Sequence, residues 1–201
     1  MVDVAPKFYH LAVKAYHEKN LTELYKNSKS FIMMLHDLDE ILATNQNFLL
    51  GVWLQEAKSI PEGNKYQTAE SYLYEFNARN QITLWGPNGD ILDYATRQWS
   101  GIVKDYYIPR WRLFYDRLMN DVKFNITFNH EKYKHDFIEK IGKPFTTDRR
   151  AYPSTPNGDT IAVAQKLYKR WRHVLNPLDG FYHSYQVHQK CEDERFQYYK
   201  N

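Results

Sequence analysis

Asp90 and Asp93 are the two residues whose type and spacing could do chemistry. They stand three apart in a Gly/Pro-rich turn, Trp85-Gly86-Pro87-Asn88-Gly89, with Tyr94 directly after Asp93. Two carboxylates across a sugar ring can cleave a glycosidic bond, at separations of about 5 to 5.5 Å for retention or 6.5 to 9.5 Å for inversion. The competing reading makes either aspartate a helix cap, held by free N–H groups and the helix dipole. Capping is the preferred reading, so no catalytic residue is assigned. Glu70 and Glu75 lie among tyrosines on a helical stretch and read as solvated.

The same turn carries large apolar side chains, where connectors usually carry small polar ones. Trp85, Ile91 and Tyr94 are the candidate substrate-binding residues, because an aromatic ring suits the apolar face of a pyranose. Composition alone favours the alternative, a hydrophobic plug sealing the connection. Asn20-Leu21-Thr22 and Asn125-Ile126-Thr127 match the glycosylation pattern, making Asn20 and Asn125 candidate modification sites. Arg110-Trp111-Arg112 reads as an exposed-buried-exposed triplet. One cysteine, Cys191 in a polar tail, excludes an intrachain disulfide and a cysteine-based zinc site. No metal ligand set and no cofactor is expected.

Helical periodicity supplies the elements that must position these residues. Phe8, Leu11, Ala12, Ala15 and Tyr16 mark a first face, ending near Asn20. Leu21, Leu24, Tyr25, Ser28, Ile32, Leu35, Leu38 and Leu42 mark a second. The run Thr44-Asn45-Gln46-Asn47 can cap a helix from Phe48 to Lys58. From Tyr66, the residues Ala69, Tyr72, Leu73 and Phe76 predict a further apolar face leading to Leu84. Asp90 or Asp93 then starts a long helix with Ala95, Trp99, Ile102 and Tyr106, which Pro109 must kink or restart. Asn129 to Ile141 is predicted helical. Asp159 caps a last helix with Ile161, Ala164, Leu167, Tyr168 and Trp171. No alternating strand exceeds four residues. The fold class is all-α, a bundle of roughly six to eight helices with short connections, over residues 1–176, followed by an irregular tail at 177–201.

The 201 residues suffice for a sizeable core without disulfide or metal. Seventeen tyrosines demand hydroxyl partners wherever they are buried. The net charge of +3 is spread among acids, so no nucleic-acid partner is implied. Eight histidines would carry the balance toward about +11 in an acidic compartment. Residues 1–10 hold no apolar segment of signal-peptide type, and no run reaches the ~20 apolar residues of a membrane span.

Several ordered blocks resemble the alpha-N-acetylglucosaminidases, glycoside hydrolase family 89. They are Asp37-Leu38-Asp39-Glu40-Ile41-Leu42-Ala43-Thr44 with Phe48-Leu49-Leu50-Gly51-Val52-Trp53-Leu54, then Gln81-Ile82-Thr83-Leu84-Trp85-Gly86-Pro87 through Tyr94-Ala95 and Gln98. Tyr106-Tyr107-Ile108-Pro109-Arg110-Trp111 follows, with a weaker block at Arg150-Ala151-Tyr152-Pro153 and Gly158-Asp159-Thr160. The resemblance covers residues 1–171 and departs after Trp171.

It implies the helical C-terminal domain of a lysosomal or secreted exo-hydrolase. Such enzymes release terminal alpha-linked N-acetylglucosamine, from heparan sulfate in animals, by a retaining mechanism. Their two catalytic glutamates lie on a preceding (β/α)8 barrel, and no residue here matches either. The implied partners are that barrel and an N-acetylglucosaminyl glycan. The resemblance implies that Trp85, Ile91 and Tyr94 line the sugar pocket, which raises the pocket reading above the plug. On this view the chain alone is inactive. The rival is a free-standing, non-catalytic helical protein that binds sugar or a partner.

Overall fold

The computed structural model describes residues 4–61, 69–86 and 91–175. They are all-α apart from one two-residue-strand hairpin. The described residues divide into two units, with the boundary between Thr160 and Ile161. In the first, α1 (Ala5–His17) begins with a proline in its first turn, where a missing N–H costs nothing. Asn20 caps α2 (Leu21–Leu42) by accepting from the Glu23 N–H at 3.1 Å. On α2, Leu24, Ser28, Ile32 and Leu35 are buried as their spacing predicts, whereas Leu21 and Tyr25 stay exposed.

The cap expected at 44–47 serves a shorter element. The Asn45 carboxamide oxygen accepts from the Asn47 N–H at 2.9 Å and starts a 3-10 turn, Gln46–Phe48. Helix α3 (Leu50–Ser59) follows with no side-chain cap. Its first N–H, from Leu50, is satisfied by the Ser100 carbonyl at 3.1 Å, and the Ser100 N–H reaches the Phe48 carbonyl at 2.8 Å. Gly51 lets this helix lie against the backbone of Tyr152 and Pro153; a Cβ there would come within 2.2 Å of the Pro153 carbonyl oxygen.

Helix α4 (Ala69–Gln81) turns the opposite way from its expected apolar face. Leu73 and Phe76 are exposed, while Ser71, Glu75, Ala78 and Arg79 are buried. Charge pairing decides the orientation. Glu75, 2% exposed, binds Arg79, 0% exposed, through Nη2 at 2.7 Å, and Lys58 pairs with its other oxygen at 2.7 Å. Arg79 also donates to the carbonyls of Phe145 at 3.4 Å and Arg150 at 3.1 Å. Its guanidinium lies 5.4 and 5.3 Å from the ring centroids of Phe145 and Tyr152. The expectation of a solvated Glu75 is therefore corrected: its paired hydrogen bonds with a buried guanidinium keep it inside. Tyr66 lies outside the described residues.

Strands β1 (Leu84–Trp85) and β2 (Ile91–Leu92) pair antiparallel, Leu84 with Leu92 and Trp85 with Ile91. The long helix starts later than its sequence suggests, at a π turn, Val103–Tyr107, that passes into α5 (Ile108–Phe124). Ala95 and Trp99 precede it. Pro109 restarts the helix as expected, and the Ile108 N–H spans five residues to the Val103 carbonyl. The pattern recurs downstream. Asn129 caps α6 (His130–Phe137), which widens into a π turn, Ile138–Gly142, just before Pro144 in α7 (Lys143–Thr147). Widening moves the i−4 carbonyl out of the way of each proline ring.

Two cores result. One packs α1, α2 and α5 around Leu24, Ile32, Phe31, Tyr115 and Trp111, with the Phe31 and Trp111 rings 4.7 Å apart. The other joins Leu54, Ile82, Leu84, Ile102, Tyr106 and Phe137 beneath the hairpin. In the second unit, α8 (Thr160–Leu175) buries Leu167 and Trp171 and exposes Ile161 and Tyr168. The tail expected at 177–201 lies outside the described residues, as does Cys191. Among the described residues no helix is long and apolar enough to cross a membrane.

Candidate functional site

The hairpin sorts its side chains by strand geometry. Directly opposed residues of an antiparallel pair share a face, and neighbours along a strand alternate. Leu84 is buried, Leu92 is half-buried, and both sit in or against the core. The Leu84 methyls fill the space where a Cβ on Gly142 would otherwise stand. Trp85 and Ile91 then share the opposite face, 39% and 48% exposed. Gly86, with φ of 92°, takes the chain away from β1 in a conformation that disfavours a side chain.

Tyr94, 63% exposed, brings its ring to 4.9 Å from that of Trp85 at an interplanar angle of 41°. All three predicted contact residues thus keep open surface, and none is buried at core density as a plug would require. Of the three, Trp85 borders an open cleft of about 600 Å³ between α3 and α4, lined by Trp53, Tyr74, Asn77, Asn80 and Gln81 among others. Glu56 adds one carboxylate to these rings and carboxamides, so the lining is mostly neutral with a single anion.

Asp93 departs from its expected role as a helix cap. It adopts a left-handed backbone, φ 55°, in the turn after β2. Its N–H donates to the Thr83 carbonyl at 2.7 Å. One carboxylate oxygen accepts from the Tyr106 hydroxyl at 3.0 Å, and the other is ion-paired with Arg110. Both oxygens are thus engaged within the fold. Asp90 lies outside the described residues.

The surroundings bear this out electrostatically. Burial pushes the Tyr106 hydroxyl well above its ordinary value, and the Asp93 charge adds to the shift. Tyr107 is pushed up to about 12 by burial and the same carboxylate. Burial opposes the charge on Arg110, but the Asp93 carboxylate outweighs it and holds the guanidinium firmly protonated. Arg110 also lies 4.4 Å from the Phe137 ring centroid. Arg110, Trp111 and Arg112 are all half-buried, so the exposed-buried-exposed triplet is corrected at each position. The sequence carried one signal for this cluster: Tyr106 and Arg110 are four apart and share a helix side.

Asn20 and Asn125 are both exposed. Asn20 is occupied as the α2 cap, and Asn125 takes a left-handed conformation after α5, accepting from Lys19 at 2.6 Å. Among the described residues no cluster of metal-ligating side chains occurs.

Residues 1–170 match the family described as the alpha-N-acetylglucosaminidase C-terminal domain. Human alpha-N-acetylglucosaminidase is 39% identical over 169 residues, a stretch that covers 82% of this chain and 22% of that protein. The chain thus spans about one fifth of the length of that relative. A family 89 glycoside hydrolase from Clostridium perfringens, bound to 2-acetamido-1,2-dideoxynojirimycin, shares the fold at TM-score 0.68 and 23% identity, covering 83% of this chain and 19% of that one. The same bacterium's enzyme with its substrate GlcNAc-alpha-1,4-galactose gives TM-score 0.69 at 24% identity, with the same coverage. Matched over most of its length by the family and by the human enzyme, with an all-α fold that the bacterial enzymes share, the chain belongs to the C-terminal-domain family of the alpha-N-acetylglucosaminidases.

Proposed function

We propose that this domain forms one wall of a pocket for terminal alpha-linked N-acetylglucosamine, whose catalytic carboxylates belong to a (β/α)8 barrel elsewhere in the same enzyme. The observation that carries this reading is the outward pair of rings, Trp85 against Tyr94, with Ile91 on the same strand face as Trp85. Aromatic surface left open beside carboxamides is what a sugar needs for its apolar face and hydroxyls. The committed state of Asp93 supports placing the acid–base chemistry elsewhere. In an animal the substrate would be heparan sulfate and the compartment the lysosome; a secreted enzyme fits the same site. Asn20 and Asn125, exposed as carriers of glycan must be, suit either route.

The test is kinetic, in the full natural chain that carries this domain. Trp85→Ala or Tyr94→Ala should raise KM for an aryl alpha-N-acetylglucosaminide far more than it lowers kcat, since each ring binds substrate without taking part in bond breaking. Unchanged KM in both variants would sink the reading. The alternative is a free-standing, non-catalytic helical protein that binds sugar or a partner, for which the cleft of about 600 Å³ would be the site. Calorimetric binding of N-acetylglucosamine to the 201 residues, abolished by Asn77→Ala, would support that alternative.

A further inference from the structure

We infer that Asp93 is a positioning residue for the Trp85–Tyr94 wall, set by Arg110 and Tyr106; this rests on the sugar-facing role proposed for that wall. Asp93 ties three segments together. Its N–H holds the Thr83 carbonyl at 2.7 Å, two residues before Trp85. Its backbone carries directly into Tyr94, and its carbonyl accepts from the Thr96 hydroxyl. Its carboxylate grips the π turn at Tyr106 and α5 at Arg110.

The anchor itself has little freedom. Tyr106 is fully buried, its ring 5.6 Å from that of Phe137 and 5.3 Å from that of Phe145. Arg110 is held over the Phe137 ring. The half-exposed rings therefore inherit their placement from the core through one charged residue. The left-handed backbone sharpens the point. Asp and Asn are the residues other than glycine that visit this region readily, so Asp93→Asn removes the charge while leaving the backbone conformation accessible.

Two readouts test the inference. In the full natural chain Asp93→Asn should raise KM for an aryl alpha-N-acetylglucosaminide by about tenfold with kcat within about twofold, as expected when a charged hydrogen bond that orders a binding surface is weakened. Arg110→Lys, which keeps the charge but loses the fork geometry, should fall between Asp93→Asn and the parent. In the 201-residue chain, ring-to-ring NMR contacts between Trp85 and Tyr94 should vanish in Asp93→Asn. Those between Trp53 and Trp99, 5.8 Å apart, should persist and report an intact fold. Should that control contact be lost, Tyr106→Phe takes over, deleting one hydrogen bond and no charge, and should weaken the Trp85–Tyr94 contact. Retention of the Trp85–Tyr94 contact in a folded variant overturns the inference whatever the KM. Loss of the contact with unchanged KM overturns instead the sugar-facing role of the wall.

Discussion

Residue by residue, the charged side chains carry the clearest expectations. Arg79 and Glu75 are buried together, so removing one strands the other. Glu75→Ala should destabilise the chain by about 3–5 kcal/mol, whereas replacing both by methionine should cost much less; urea denaturation separates the two cases. Asp39 offers a pH test. It accepts from the Gly101 N–H at 2.9 Å and the Ser100 hydroxyl at 3.4 Å, yet burial raises its carboxyl above the ordinary 3.8. A raised folded value favours the protonated form. Its stabilising contribution is therefore complete below 3.8 and is lost as the pH climbs through the raised value. Asp39→Asn, which keeps an acceptor for Gly101, should exceed the parent in stability at pH 7, with the gap closing toward pH 4. Denaturation across that range checks the sign. Neither role was legible in sequence. Glu75 looked solvated because the carbonyls that hold its arginine partner come from Phe145 and Arg150, more than sixty residues along the chain.

At the scale of elements, apolar period located the helices but did not always orient them. It failed on α4, where a paired charge network took the inward face and left Leu73 outside, 57% exposed. It missed the hairpin because strands of two residues are too short to alternate visibly. The turn chemistry was legible, in that Gly86 does stand at positive φ after Trp85. Trp85 being partly exposed, Trp85→Ala should cost the fold only about 1–2 kcal/mol, against roughly 3–5 for a fully buried tryptophan; a thermal melt distinguishes these. Gly51→Ala should do more harm despite adding a single methyl. The Pro153 carbonyl it meets at 2.2 Å is backbone and cannot rotate away, so α3 must move off the 152–153 segment. Loss of a few kcal/mol in chemical denaturation is the expected outcome.

For the whole molecule, the all-α class followed from the absence of strand-length alternation and from regular breaks at Asn20, Pro61 and Asn129. The family followed from long ordered blocks, several of which supply the core beneath the hairpin: Leu50 and Leu54, Ile82 and Leu84, and Tyr106. Which face of the bundle the wall occupies was not legible, since that depends on how distant segments pack. The proposed division of labour makes one further prediction. The 201 residues alone should give no turnover of an aryl alpha-N-acetylglucosaminide, because glycoside cleavage requires two opposed carboxylates and Asp93 is already engaged. Turnover abolished by Asp93→Asn would reverse that assignment.

The two π turns are room set aside for prolines. Each holds one residue more than an α turn would, and the first stands between Gly101, fastened to Asp39, and Arg110, fastened to Asp93. Deleting the exposed Lys104 would let the segment relax to ordinary pitch with its two ends nearly in phase, since four residues at about 100° each span almost the angle of the five in the wider turn. What would be lost is clearance: the Pro109 ring would meet the carbonyl one turn before it. A loop absorbs a lost residue at no cost; here the extra residue is a spacer. Lys104→Ala should therefore leave the melting temperature almost untouched, and removal of the same residue should lower it.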